Sequence, residues 1–170
     1  MMHVVRKETD EDSLAIRTVI KVAFGQVNEA DLVDALRKAG ALTLSAVAVL
    51  EGEIVGHIAF SPATIEGASG KFDALAFAPI AVRPDCQRQG IGSALIRWGL
   101  DECRRMGHGV VIVVGRPGYY PRFGFIAASA RGIQCPFPVP PETFILLELF
   151  PDALGGRSGT VKYRPEFEQV

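Results

Sequence analysis

The stretch Ala78–Leu95, APIAVRPDCQRQGIGSAL, decides how this sequence is interpreted, because an apolar run passes through a glycine-containing loop into a helical pattern. At such a junction the backbone N–H groups of the first helical turn and the helix dipole stabilise an anion. Gly90 and Gly92 would let a pyrophosphate approach the backbone closely. A tight turn between strand and helix explains the same glycines, so the loop alone leaves both interpretations open.

Spacing separates three kinds of phosphate loop. A P-loop needs GxxxxGK[ST], which the chain lacks. A dinucleotide fingerprint needs GxGxxG, but Leu95 stands where the third glycine belongs. The remaining pattern is Q-x-x-G-x-G, from Gln87 to Gly92. Three arginines lie between residues 83 and 97 against one aspartate, and Arg88, inside the loop, is the best candidate to bind an anion.

The segments around this loop predict a mixed α/β fold. Apolar periodicity predicts helices that begin near Thr9 or Asp10 and near Asn28, and a third over Gly92–Met106. Extended apolar runs predict about seven strands in one sheet flanked by helices. These strands are Val4–Lys7, Leu44–Leu50, Ile54–Ile65, Ala74–Val82, Val110–Val114, Phe144–Phe150 and Thr160–Tyr163.

Composition predicts one domain over residues 1–170, since 48% of the residues are hydrophobic and 22% charged. A net charge of −1 gives no global reason to bind nucleic acid or an anionic membrane. Without an apolar run of membrane length or a signal-peptide pattern, we expect a cytoplasmic protein. Cys86, Cys103 and Cys135 form no CxxC pair, which disfavours a disulfide framework and a zinc knuckle.

Two motifs carry a resemblance to a known family. Gln87–Gly92 resembles motif A of the GNAT superfamily of N-acetyltransferases, whose Q/R-x-x-G-x-G/A loop binds the pyrophosphate of acetyl-CoA. Gly115–Phe125, GRPGYYPRFGF, is similar to the family's segment of strand, short helix and Tyr-x-x-x-Gly-Phe. The stretches LLELFPDAL and VKYRPEF further resemble the YhbS-like bacterial branch of predicted N-acetyltransferases.

The resemblance implies a single GNAT domain with a mixed, mostly antiparallel sheet. The strands Ala74–Val82 and Val110–Val114 would splay apart to admit the pantetheine arm of acetyl-CoA. Acetyl-CoA would be a co-substrate, with no metal, and the other partner an unidentified amine. No nucleic-acid or membrane partner is expected, and the protein would be a monomer or homodimer. The implied cofactor-binding residues are Ile80, Ala81 and Val82, through their backbone, and Gln87, Arg88, Gln89, Gly90, Ile91, Gly92 and Ser93.

Tyr120 is the implied general acid. A phenol with a pKa of about 10 stays protonated at neutral pH and can hydrogen-bond the sulfur as negative charge builds on it. Packing of a loop by Tyr119 and Tyr120 is the alternative explanation. Cys86 lies beside the glycine loop, but no His and carboxylate pair is visible for it, and the family transfers acetyl directly.

The general base stays unassigned. Many family members use a carboxylate on or near the strand that precedes the glycine loop, whereas Phe77–Ile80 provide none. A packed or solvent-facing structural role explains the remaining candidates equally well. These candidates are Asp73, His57, Ser61 and Glu148.

The leading hypothesis is therefore an acetyl-CoA-dependent N-acetyltransferase, in which an amine, small or protein-borne, attacks the thioester directly. The alternative is an acyl-CoA binding module without turnover, motivated by the missing carboxylate. A nucleotide or nucleic-acid binder is disfavoured by the absence of a basic face. Asp31 and Asp34 could attract a cationic amine, or could simply form a solvated helix face.

Overall fold

The computed structural model describes residues 2–169 of the chain. Its α-helices are α1 (Ser13–Phe24), α2 (Asn28–Lys38) and α3 (Ile91–Arg105). Its strands are β1 (His3–Lys7), β2 (Leu44–Leu50), β3 (Glu53–Gly67), β4 (Gly70–Val82), β5 (Val110–Val114), β6 (Ile126–Ala127), β7 (Ile133–Gln134), β8 (Phe144–Glu148) and β9 (Gly159–Lys162). None of these helices is long and apolar enough to cross a membrane.

Hydrogen bonds join the strands of residues 2–169 in the order β1-β2-β3-β4-β5-β8-β6, and β9 pairs with β3 and β7. The pairs β1–β2, β2–β3, β5–β8, β6–β8 and β3–β9 are antiparallel, whereas β4–β5 and β7–β9 are parallel. The prediction of a mixed, mostly antiparallel sheet is confirmed. The count of about seven strands misses β6 and β7, since two-residue strands leave no alternation of polar and apolar residues.

The β2–β3 hairpin shows how local sequence sets the register. Leu50 pairs with Glu53, which leaves Glu51 and Gly52 as the two turn residues. Their φ angles are 52° and 80°, the left-handed values that a type I′ turn requires at both central positions. The turn sets the pairing of the first two residue pairs, and an irregularity between Ala48 and Val49 then shifts the register, so that Ala48 pairs with Gly56.

The chain forms two compact units. The first contains the residues up to Ser61, Ala78–Glu102 and the residues from Pro165, and its core packs α1 and α2 against Val47 and Ala81. The second contains Pro62–Phe77 and Cys103–Arg164. Its central strands β5 and β8 bury apolar residues on both faces, as a covered strand does.

Asp12 ties β1 to the start of α1. Its carboxylate accepts a hydrogen bond of 2.7 Å from Arg6 Nη1 and another of 2.7 Å from the backbone N–H of Thr9. The hydrogen bond from Arg6 is the largest cause that lowers the pKa of Asp12, to about 2. Burial, at 7% exposure, opposes this shift, but the lowered pKa means that the charged carboxylate stabilises the folded state.

We predict that Asp12→Asn lowers the free energy of unfolding at pH 7 by about 1 kcal/mol, because half-exposed Arg6 is partly screened by solvent. The folded-state pKa lies below the unfolded value, so this contribution is present above about pH 4 and disappears as the pH falls towards 2. Urea unfolding at pH 7 and at pH 3 measures it. Asp10→Asn, at an exposed position of the same turn, is the control. An equal loss at both pH values would contradict the assignment.

Candidate active site

The glycine loop before α3 is exposed, whereas the first residues of α3 are buried or half-buried. Gln87, Arg88, Gln89 and Gly90 are all exposed. The φ angles of Arg88 and Gly90 are 63° and 84°, and a Cβ at Gly90 would meet nothing within 4 Å. The N–H of Ala94 donates to Gly90 O at 3.0 Å, so the N–H groups of Ile91 and Gly92 belong to the turn that has no intrahelical acceptor. These groups can bind an anion.

Arg83 anchors the start of the loop to β3 and to Asp85. Its backbone N–H donates to Val55 O at 2.8 Å, and its guanidinium pairs with Asp85 at 2.7 Å and with Glu53 at 3.1 Å. Two carboxylates thus neutralise it. Arg88, by contrast, is exposed and forms no ion pair among residues 2–169. Arg88 therefore stays the predicted anion-binding side chain of the loop.

The side chain of Gln87 hydrogen-bonds the end of β4. Its side-chain amide donates to the carbonyl of Val82, the last residue of β4, at 3.0 Å. The side chain of Ala81 is 3% exposed and lies in the core with α1 and α2, whereas Ile80 and Val82 are half-buried. The side chain of Ala81 is therefore structural, and the backbone of Ile80–Val82 stays the predicted binding element.

Tyr120 lies in the second unit, in a cluster of aromatic rings. Its ring centroid is 5.8 Å from that of Phe77, 5.2 Å from Tyr119 and 5.7 Å from Phe125, all edge to face. Tyr120 begins a short 3-10 turn that ends at Gly124, whose φ is 96°. Burial raises the pKa of Tyr120 to about 12, so its hydroxyl remains a hydrogen-bond donor at physiological pH.

Gly115 is a site residue that the motif analysis did not single out. A Cβ at this position would overlap the ring of Tyr120. The backbone N–H of Gly115 donates to Thr143 O at 2.9 Å, which fixes the chain directly after β5. A glycine that ends a buried apolar strand just before an aromatic pair is the sequence signal that could have indicated this close approach.

The candidate carboxylates have structural partners. Glu148 accepts a hydrogen bond from the N–H of Leu154 at 3.0 Å and pairs with Arg131 at 3.3 Å. Asp31 and Asp34 both pair with Arg17, at 2.8 and 2.7 Å. Asp73 is exposed on β4. These contacts favour the structural explanation for Glu148, Asp31 and Asp34.

His57 and Ser61 are both fully buried on β3. His57 Nε2 lies 2.8 Å from Ser45 Oγ, and the Ser45 hydroxyl in turn donates to Glu8. Arg37 of α2 binds the Glu8 carboxylate through Nε at 3.0 Å and Nη2 at 2.9 Å. No motif spacing links Glu8, Ser45 and Arg37, so the sequence alone does not indicate them.

Burial and charge set the ionisation of this polar chain. Burial lowers the pKa of His57 to about 4, although the charge of Glu8 opposes the shift. Burial alone would raise the pKa of Glu8, but hydrogen bonds from Arg37 and Ser45 outweigh it and hold that pKa below its ordinary value. At neutral pH the chain therefore contains a neutral imidazole and a charged carboxylate.

Comparison with known proteins identifies the family. A model of the acetyltransferase (GNAT) domain matches residues 4–128. YhbS of Escherichia coli strain K12, an uncharacterized N-acetyltransferase, is 34% identical over 166 residues, which cover 97% of this chain and 98% of YhbS. YjhQ of the same strain, also an uncharacterized N-acetyltransferase, is 42% identical over 134 residues, 77% of this chain and 74% of YjhQ.

Solved structures agree with these relatives. The crystal structure of YhbS from Escherichia coli in complex with CoA superposes with a TM-score of 0.92 over 98% of this chain and 92% of that chain, at 34% identity. A GNAT family acetyltransferase from Brucella melitensis, in complex with acetyl-CoA, gives a TM-score of 0.81 at 37% identity, with 98% of both chains covered. The domain match and the nearly full-length relatives together show that this protein belongs to the GNAT family of acetyltransferases.

Proposed function

We propose that this protein is an acetyl-CoA-dependent N-acetyltransferase, a single domain over residues 1–170, in which an amine attacks the thioester directly. The observation that carries the proposal is the exposed loop at the start of α3. It presents first-turn N–H groups and the side chain of Arg88, which has no carboxylate partner within residues 2–169. Two relatives of at least 34% identity bind CoA or acetyl-CoA in their crystal structures, which supports the same ligand class here.

The loop would bind the pyrophosphate of acetyl-CoA. The phosphates would accept hydrogen bonds from the backbone at Gly90, Ile91 and Gly92, and the helix dipole adds to the attraction. Arg88 supplies a full positive charge. Gln87 holds the loop in shape through Val82. Gln89 and Ser93 flank the N–H groups and complete the proposed binding segment.

The segment Ile80–Val82 would bind the pantetheine arm and the acetyl carbonyl through its backbone, in the manner of an added strand. Pro79 has no N–H, so the backbone donors available to the arm at the carboxyl end of β4 begin at Ile80. An N–H aimed at the acetyl oxygen would stabilise the negative charge that develops there during attack. We propose that β4 and β5 separate towards their carboxyl ends to admit the arm. Their parallel pairing at Leu75–Val111 and Ala76–Ile112 precedes that point.

Tyr120 would stabilise the departing thiolate. A thiol has a pKa of about 8.5, whereas burial raises the pKa of Tyr120 to about 12. Full proton transfer from this phenol to a thiolate is therefore uphill, and donation of a hydrogen bond is the favoured contribution. Gly115 and Phe77 hold the ring in place from two sides.

An acyl-CoA binding module without turnover is the second candidate. It is favoured by the engagement of Glu148, Asp31 and Asp34 with arginines, which leaves no uncommitted carboxylate among the candidates except exposed Asp73. Incubation with acetyl-CoA and a broad panel of amines, monitored by release of free thiol, separates the two functions. Thiol release that depends on the amine supports the transferase, and binding without release supports the module.

We predict that Gly90→Asp weakens CoA binding at least tenfold relative to Gly90→Asn, because a carboxylate at the loop repels the pyrophosphate. Asn has nearly the same shape and tolerates a positive φ equally well, so the pair isolates charge from backbone strain. Isothermal titration of CoA into both variants measures the difference. Equal affinities would exclude this loop as the pyrophosphate site.

We predict that Tyr120→Phe lowers kcat by about 100-fold and changes the KM for acetyl-CoA by less than about threefold, because the hydroxyl acts on the leaving sulfur in the transition state. The ring contacts with Phe77 and Phe125 remain, so the fold should be retained. Tyr119→Phe removes a neighbouring hydroxyl and serves as the matched control. Equal kcat values for both variants would refute the role of Tyr120.

A further inference from the structure

The hydrogen-bonded chain Glu8–Ser45–His57 has a single allowed arrangement of protons. A carboxylate can only accept, so Ser45 must donate its one hydroxyl proton to Glu8. Ser45 Oγ then accepts from His57, whose Nε2 lies 2.8 Å away. His57, neutral at physiological pH, therefore carries its proton on Nε2 and keeps a lone pair on Nδ1.

His57 Nδ1 is buried and has no hydrogen-bond partner in the described part of the chain. An unpartnered acceptor inside a protein is costly, and such atoms point to a water or ligand that completes them. The other imidazole nitrogen is held rigidly by Ser45. His57 is therefore an oriented, neutral proton acceptor with one nitrogen free.

His57 also lies beside the backbone that the proposed function assigns to the acetyl group. Within the first unit, Val55 O accepts from the N–H of Arg83, and a Cβ at Gly56 would lie 3.3 Å from Ala81 O. The residue after Gly56 on β3 is thus next to the Ile80–Ala81 segment of β4. Sequence distance concealed this proximity, since 23 positions separate residues 57 and 80.

The Glu8 end of the hydrogen-bonded chain Glu8–Ser45–His57 reaches the surface. A cavity of about 200 Å³ is lined by Glu8 and Ser45 together with Lys7, Leu42, Thr43 and Leu44. The charged groups along the chain are Glu8 itself, Arg37 on α2, and Asp34, which pairs with Arg37 at 3.1 Å. Solvent in the cavity can exchange protons with Glu8 while His57 stays buried.

We propose that His57, Ser45 and Glu8 relay the proton lost by the attacking amine to solvent, a step that rests on the proposed acetyl transfer. Before attack, an N–H bond of the substrate's ammonium group breaks and its proton passes, through water, to His57 Nδ1. The Nε2 proton moves to Ser45, the Ser45 proton to Glu8, and the Glu8 proton to water in the cavity. The neutral amine then attacks: the C–N bond forms as the C–S bond breaks, the sulfur leaves with the electron pair, and the second N–H proton that the nitrogen loses passes through solvent to the sulfur.

The relay explains why a histidine with a lowered pKa suits the task. A fully buried imidazolium is expensive, but a ring that gains a proton on one nitrogen while losing one from the other stays neutral. After product release the Nδ1 proton is lost to water and Nε2 regains one through Ser45, which restores the starting tautomer. Ser45 and Glu8 are positioning residues, since they act through His57.

Ser45→Ala and Ser45→Thr test the relay, because the first removes the hydroxyl and the second keeps it. We expect Ser45→Ala to lower kcat at pH 7 by about tenfold or more, with the KM for acetyl-CoA within threefold of the wild type. The loss should shrink as the pH approaches that of amine ionisation, near 10, where free amine is abundant. Ser45→Thr should retain kcat within threefold. Thr18→Ala, on the exposed face of α1, controls for general effects.

Nitrogen-15 NMR of the imidazoles provides a readout without turnover. We expect the Nε2–H tautomer of His57 at pH 7, with no imidazolium down to about pH 5, and a change of tautomer balance in Ser45→Ala. A cationic ring or an Nδ1–H tautomer in the wild type overturns the relay. An unchanged kcat in Ser45→Ala, or a loss of equal size at every pH, also overturns it.

Failure of the proposed function gives a different result. Wild-type protein that binds no acetyl-CoA refutes the function itself, whichever tautomer His57 shows. Wild-type protein that binds acetyl-CoA but acetylates no amine refutes both the transfer and the relay. Turnover in the wild type with a pH-independent Ser45→Ala defect refutes the relay alone.

Discussion

The anchoring of the chain where β4 ends is the constraint on which the candidate site depends. The N–H of Arg83 pairs with Val55 O on β3, its guanidinium binds Glu53 and Asp85, and Gln87 returns a hydrogen bond to Val82. With the end of β4 and the following turn fixed in this way, four exposed residues, 87–90, connect that turn to α3. The start of α3 therefore has a defined orientation relative to β4.

This arrangement explains how a chain with a net charge of −1 can bind an anion. The partial charge of a helix N-terminus acts over the first turn only, so it is insensitive to the total charge of the protein. Arg83 is one of the three arginines near the loop in the sequence, but its two carboxylate partners neutralise its charge. Arg88 has no such partner among residues 2–169. Its left-handed backbone is part of the turn that leads into α3.

Local sequence was sufficient for the parts of the structure that depend on local physics. The three helices, the Glu51–Gly52 turn, the seven longer strands and the strand–loop–helix junction all follow from periodicity and turn chemistry. The family resemblance is likewise confirmed. The strand predicted over Phe144–Phe150 ends two residues early, at Glu148, where that side chain accepts the N–H of Leu154 and the chain turns away.

Contacts between distant segments could not be predicted. Glu8 and Ser45 are 37 positions apart, and Ser45 and His57 are 12 apart, so only strand register brings them together. His57 alone, on an apolar strand, gave no means to choose between a packed residue and a proton acceptor. The steric fit of Gly115 against Tyr120 differs, because a glycine that ends a buried strand just before an aromatic pair is a local signal of such a close approach.

Burial favours the neutral form of both candidate catalytic groups, Tyr120 and His57. It raises the pKa of Tyr120 and lowers that of His57, so each remains uncharged across the range in which most proteins function. Aminolysis of a thioester begins and ends with neutral reactants and products once the amine has lost its proton. Neutral donors and acceptors can stabilise the charge that appears transiently on oxygen, nitrogen and sulfur. They do so without a fixed charge of their own in a desolvated site. The charged groups lie where solvent reaches them: Glu8 with Arg37 at the surface cavity, and Arg88 in the exposed loop before α3.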